Sequence, residues 1–327
     1  MSRLFEGRID FNDTGISKWN TAKVTSFAYM FDGCQAFDQV LEWDFSSAET
    51  LEGMFNGATS YNQDFVGWLS TTTTARVTNM AFMFNGATKF DANVMRLDTA
   101  NVVNMTAMFR DAQSFRGIGI ESWNVEKVQR FDRTFMGASS FNGDVTQWKP
   151  KSVTTMHSMF EGCTVFDQDI ASTWRGQLSA DLQNLSRMFY DAIAFDYSVC
   201  WPGLSSRIMT SNMFCRSPGS LDTSCFSNPS TFLYSNDCAV PTNNGGPGFN
   251  EDNFVPIILP ENETNLVLVP GDGSGGSGGD DEPGVVIVGV TSETASSASA
   301  SVSSVVAAVW WTGTIVTVTV FLPVVVY

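Results

Sequence analysis

Six cysteines, one histidine and a recurring column of acids and amides are the residues of this chain that could do chemistry. His157 is the only imidazole in 327 residues, which rules out most His-dependent catalysis and multi-His metal sites. It lies between Met156 and Ser158 and is expected to face solvent. Cys200, Cys215, Cys225 and Cys238 crowd one loop-rich segment without Cys-x-x-Cys spacing, which suits two disulfides better than zinc and leaves three connectivities open. Cys34 and Cys163 stand at equivalent points of a repeat, on the order of 24 Å apart at strand spacing. A disulfide spans about 7 Å between Cα atoms, so these two are expected as buried free thiols. One polar column runs Asn12, Asp38, Asn62, Asp91, Asn142, Asp167, Asp196, and a second runs Asp64, Asn93, Asp144, Asp169. Such oxygens could ligate Ca²⁺, but capping turn N–H groups is the commoner use of these residue types. No Gly-x-Ser-x-Gly, phosphate loop or His-Glu-x-x-His is present, and Gly117-Ile-Gly119 is a lone glycine pair. The expectation is no enzyme and no cofactor, with Ca²⁺ the one ion the columns suggest.

The elements that must position these groups repeat every 24 to 29 residues. Phe recurs at Phe5, Phe31, Phe55, Phe84, Phe109, Phe135, Phe160, Phe189 and Phe214, usually after Met and before Gly-Ala or Gly-Cys. A second aromatic follows six residues later, then a Trp: Trp19, Trp43, Trp68, Trp123, Trp148, Trp174, Trp201. Leu97 replaces it once, and Arg207 and Thr210 weaken the eighth unit. Val153, Met156 and Phe160 sit at i, i+3 and i+7, the spacing of one helix face. Gly162 could end that helix in the left-handed region. Val145-x-x-Trp148, Ile120-x-x-Trp123 and Ile16-x-x-Trp19 suggest short strands. One unit cannot bury its own rings, whereas stacked units bury a continuous ladder. The expected fold is an α/β solenoid, a leucine-rich-repeat-like stack of about nine short helix–strand coils.

The run Val-Thr-Thr-Met-His-Ser-Met-Phe-Glu-Gly-Cys-Thr-Val-Phe-Asp-Gln-Asp-Ile at 153–170 resembles the bacterial surface protein 26-residue repeat. That repeat belongs to the BspA-like leucine-rich-repeat surface proteins, a group that includes Mycoplasma-type lipoproteins. The resemblance covers about residues 5–214. It implies a non-enzymatic binding or adhesion role at the cell surface and names no ligand.

Four regions are expected. Residues 1–199 form the repeat solenoid, and 200–240 a decayed last repeat with a cysteine-rich, disulfide-stapled cap. Residues 241–304 form a disordered acidic linker rich in Gly, Ser and Pro, and 305–327 an uncharged apolar tail. The tail follows small residues and is followed by nothing basic, which suggests a GPI signal, a transmembrane anchor or a misread gene end. Met1-Ser-Arg-Leu-Phe5 enters a repeat at once without the pattern of a signal peptide, and a stack that starts mid-unit lacks its cap, so a truncated chain is the expectation. Lys+Arg total 18 against 34 for Asp+Glu, a net charge of −16 that argues against a nucleic-acid partner. Sequons occur at Asn12, Asn104, Asn184 and Asn262.

Residues flanking each Trp should point away from the core. Those before it include Lys18, Glu42, Arg96, Ser122, Gln147 and Thr173, and those after it Asn20, Asp44, Asp98, Asn124, Lys149 and Arg175. They vary in charge and size while the core stays fixed, so they are the candidate face for a protein or glycan partner. The expected function is a membrane-tethered, extracellular binding protein, with an intracellular or structural interaction scaffold as the alternative.

Overall fold

The computed structural model describes residues 1–65, 74–204, 208–225 and 238, together with the backbone of three strands beyond them. Two compact units divide the chain, Met1–Thr242 and Asn243–Tyr327.

The first unit is a pile of coils built from turns. Ser26, Thr50, Asn79, Asn104, Arg130, Thr155, Asn184 and Met209 form one parallel line of bridges, each residue pairing with its equivalent in the next coil. Beside that line, alternate N–H groups cross between coils. Phe27, Tyr29, Phe31 and Gly33 donate to the carbonyls of Thr50, Glu52, Met54 and Asn56 at 2.7–3.2 Å. The N–H groups between them close turns inside the coil, Met30 onto Phe27, Asp32 onto Tyr29 and Cys34 onto Phe31.

This arrangement corrects the expected α/β solenoid of helix–strand, leucine-rich-repeat-like coils. Residues two before and two after each ladder Phe hold positive φ: Tyr29 (55°) and Gly33 (69°), Phe82 (58°) and Gly86 (68°), Ser158 (54°) and Gly162 (72°). An α-helix needs right-handed backbone at every residue, so a left-handed residue every fourth position forbids one. Val153, Met156 and Phe160 are fully buried, but successive turns bury them. The Ile-x-x-Trp motifs are turns too, with the Trp N–H donating to the residue three before it: Trp19 to Ile16, Trp123 to Ile120 and Trp148 to Val145, each at 3.1 Å. Regular structure among the described residues of this unit is brief. It comprises an α-helix, α1 (Ile170–Thr173), a parallel pair, β1 (Ser198–Val199) with β2 (Ser220–Leu221), and 3₁₀ turns at Thr14–Ile16, Ile120–Ser122 and Thr223–Cys225.

The core is a stack of rings. Successive ladder Phe side chains lie 5.3–5.8 Å apart and within 11° of parallel, from Phe5 to Phe214. From Phe5 to Phe189 each also stacks on the second aromatic of its own coil, as Phe31 does on Phe37 at 4.0 Å and Phe135 on Phe141 at 3.9 Å. The indoles form a second line, with Trp19–Trp43, Trp123–Trp148 and Trp174–Trp201 all 6.2 Å apart. Their Nε1–H groups donate to carbonyls one coil back: Trp43 to Ile16, Trp148 to Ile120, Trp174 to Val145 and Trp201 to Ile170, at 2.8–3.2 Å. Leu97 fills the Trp position of its coil and is 2 % exposed. Gly117 serves this packing rather than any phosphate, since a Cβ there would come 2.7 Å from Gly143 Cα. Non-glycine residues in left-handed backbone cost about 1–2 kcal/mol each. Burial of rings of this size and their mutual stacking offset that cost.

In the second unit, β3 (Ile287–Val290), β4 (Ser303–Trp311) and β5 (Thr314–Leu322) form an antiparallel sheet in that order. The β4–β5 register runs from Ser303 opposite Leu322 to Trp311 opposite Thr314. The expected linker at 241–304 lies outside the described residues apart from β3 and the start of β4. The apolar tail enters β4 and β5, and among the described residues no helix is long and apolar enough to cross a membrane.

Replacing Trp148 with Ala removes a ring from the stack and one of the two donors to the Ile120 carbonyl, which keeps the Trp123 N–H. The variant is expected to lose about 3–5 kcal/mol in a denaturant titration of the stack. An unchanged midpoint would show that the indole does not support the coil.

Candidate functional site

The cysteine segment closes the stack covalently. Cys200 bonds Cys225, and Cys215 bonds Cys238, with Cα separations of 5.7 and 5.5 Å. The partners stand 25 and 23 residues apart, which is one turn of the repeat. β1 and β2 set this register: Ser220 N–H donates to Tyr197 O at 3.1 Å and Asp222 N–H to Val199 O at 2.9 Å. Asp222 accepts from Ser224 Oγ and Ser224 N–H, and those bonds hold its carboxyl below the usual Asp range. Its Oδ2 lies 3.7 Å from Cys225 Sγ. The sequence patterns did not single out Asp222, whose only signal is an Asp three residues before a Cys.

Cys34 and Cys163 are free and buried. Each Sγ–H donates to a carbonyl of the preceding coil at 3.0 Å, Cys34 to Phe5 and Cys163 to Phe135. Burial pushes the Cys34 thiol up to about 11 and raises that of Cys163 well above its ordinary value. Burial likewise raises the Tyr61 phenol, and burial together with the Glu52 hydrogen bond lifts Tyr29 to about 12. His157 is half-buried rather than exposed, with Nε2 3.2 Å from Ser158 Oγ.

The acid and amide columns tie coil to coil. Asn12 Oδ1 accepts from Asp38 N–H and Gln39 Nε2, Asp38 Oδ1 from Asn62 N–H and Gln63 Nε2, and Asn142 Oδ1 from Asp167 N–H and Gln168 Nε2. Asp91 takes both the N–H and the guanidinium of Arg116. In the second column Asp64 accepts from Asn93 N–H, while Asp144 and Asp169 cap their own turns. These oxygens meet backbone donors, the use expected of turn caps.

The twelve candidate face residues are exposed apart from Asp98 and Thr173, which are half-buried. The structure sorts them into two groups. Asn20, Asp44, Asp98 and Asn124 each accept from the N–H two residues on, while Ser122 and Thr173 hydroxyls donate to Gly119 and Asp169 carbonyls. Lys18, Glu42, Arg96, Gln147, Lys149 and Arg175 form no such backbone bond through their side chains among the described residues. Of the sequons, Asn12 is exposed, whereas Asn104 and Asn184 are half-buried in the bridge line with Oδ1 bonded to the N–H of Thr106 and Ser186. Asn262 lies outside the described residues.

A stack of turn-built coils with a disulfide-bonded end defines this as a repeat protein. Residues 1–75, 68–174 and 116–220 match the family described as Mycoplasma protein of unknown function, DUF285, and the chain belongs to that family. No curated protein and no solved structure matches the chain.

Two outcomes follow from these groups. The raised thiols and phenols stay protonated in the fold but ionise once unfolded, where their ordinary values are 9.0 and 10.0. Stability is therefore intact below about pH 9 and declines as pH rises toward 11–12. Urea midpoints across that range are expected to fall less steeply for a Cys34→Ala, Cys163→Ala variant, since Ala58 and Ala87 already occupy this position in other coils. Reduction of the two bridges is expected to open the last coils first. Hydrogen exchange would then show lost protection at 180–214 with the early coils intact, and equal protection in both states would remove the covalent cap from the account.

Proposed function

We propose that the chain is a non-enzymatic binding protein displayed at the cell surface, with a protein or glycan partner held along the Trp-flanking face. The observation that carries this reading is the division of that face. Half of its residues are fixed by turn hydrogen bonds, while Lys18, Glu42, Arg96, Gln147, Lys149 and Arg175 remain exposed and differ from coil to coil. Four of these six are cations on a chain of net charge −16, which favours an anionic partner surface. The disulfide-bonded last coil suits an oxidising exterior. The resemblance of 153–170 to the bacterial surface protein repeat supports display at the surface.

The test is binding of the full chain to immobilised acidic polysaccharide and to neutral polysaccharide of the same length. Selective binding to the acidic form is expected, and an Arg96→Ser, Arg175→Ser variant should weaken it several-fold to about tenfold, each exposed charge pair contributing up to about 1 kcal/mol. Equal binding of parent and variant, or no binding to any anionic polymer or acidic protein, would reject this face as the site.

A further inference from the structure

We propose that the reduced Cys200–Cys225 pair, together with Asp222, is a binding site for a thiophilic divalent cation of the zinc class. Among the described residues this is the one place where three metal-ligating side chains converge. The two sulfurs and a carboxylate oxygen all lie within 4.8 Å of one another, on residues that are half-buried. The β1–β2 pairing aligns the three side chains, and in the reduced chain the bound cation takes over the closure that the sulfur–sulfur bond provides. The β1–β2 register places Val199 opposite Leu221, and Asp222 N–H is anchored on Val199 O at 2.9 Å. Ser224 occupies Asp222 Oδ1 through both its N–H (3.0 Å) and its hydroxyl (2.6 Å), which leaves Oδ2 toward Cys225 Sγ at 3.7 Å.

The donor set selects the ion. Two thiolates and one carboxylate suit a soft or borderline tetrahedral cation, whereas Ca²⁺ and Mg²⁺ take oxygen shells. At a Zn–S bond of about 2.3 Å, two thiolates of a tetrahedral site stand about 3.8 Å apart. Side-chain rotation reaches that separation from Cα atoms 5.7 Å apart. Water completes the fourth position. The pair Cys215–Cys238 has no third ligand among the described residues and remains a bridge alone.

The two states interconvert by balanced steps. Two equivalents of a small thiol reduce the bridge, giving two cysteine thiols and one small-molecule disulfide. Each thiol then releases a proton to solvent as its sulfur binds the cation, and no electron moves in that second step. The last coil is thus closed by a sulfur–sulfur bond in an oxidising compartment and by a metal in a reducing one. This inference does not rest on the surface-binding reading.

The experiment titrates the full chain with Co²⁺ and then Zn²⁺, before and after reduction by a phosphine under inert gas. The reduced chain is expected to bind one cation with thiolate-to-cobalt charge-transfer absorption, and to release about two protons per cation. The oxidised chain is expected to bind none. Cys215→Ser, Cys238→Ser should keep the site, Cys200→Ser, Cys225→Ser should abolish it, and Asp222→Ala should weaken it by at least about tenfold. Equal binding by the oxidised chain, unchanged binding after loss of Cys200 and Cys225, or a reduced chain that keeps its circular dichroism yet takes up no cation would each overturn the proposal. Reduction that unfolds the last coil without rescue by Zn²⁺ would overturn it as well.

Discussion

Every coil hands alternate N–H groups to the next one, and the rest of the structure follows from that exchange. Successive residues of an ordinary strand point their N–H groups to opposite neighbours. Here Phe27, Tyr29, Phe31 and Gly33 all point the same way, toward the following coil. The chain achieves this by closing a turn between each donor and the next, and the turns need left-handed backbone at two points per coil. Gly7, Gly33, Gly57, Gly86, Gly137 and Gly162 supply one of those points. The other is mostly non-glycine, including Tyr29, Phe82, Ala107, Ser158 and Arg187. Where glycine does occupy it, at Gly53, the ring of Tyr29 lies against it, and a Cβ would run into that ring.

Such a backbone has little cooperative stability of its own, so side chains must fix the spacing. Offset-stacked rings meet that need, because each interior Phe, from Phe31 to Phe189, touches its equivalent on both sides and the second aromatic of its own coil. The stack is therefore bonded only to its neighbours, and its ends are its weak points. Trp201 and Phe214 are the last members of the two ring lines. The bridges begin at the adjoining residues, Cys200 and Cys215, and reach one coil onward. Covalent bonds thus take over where ring stacking runs out.

Much of this was legible in the sequence, and the part that was not has a definite cause. The repeat and most of its buried residues were plain, since Phe, Met and Trp recur at fixed offsets. The conformation was misread because an i, i+3, i+7 spacing reports which residues are buried, and consecutive three-residue turns produce it as well as a helix does. The telling residues were Tyr29, Phe82 and Ser158, none of which favours positive φ by type. Their conformation is imposed by the hydrogen bonds to the next coil, which no local pattern reveals. The clustering of four cysteines was visible, but their partners depended on coil register, and so did the approach of Asp222 to Cys225.

The polar columns show why the variable face lies where it does. Neighbouring side chains in the first column stand one coil apart, where two carboxylates would repel. Its order is Asn12, Asp38, Asn62, Asp91, Arg116, Asn142, Asp167, so that each acid is flanked by an amide or a cation until Asp196 follows Asp167. At the Asp167–Asp196 end the phenol of Tyr197 is raised by burial and by the nearby carboxylates. Residues that donate or accept between coils are thereby restricted in charge as well as size. Among the described residues, the position before Trp makes no side-chain bond between coils at Lys18, Glu42, Arg96 or Gln147. Substitution there leaves the ladder, the rings and the alternation of charge untouched, so the fold itself places little restriction on charge or size at that position.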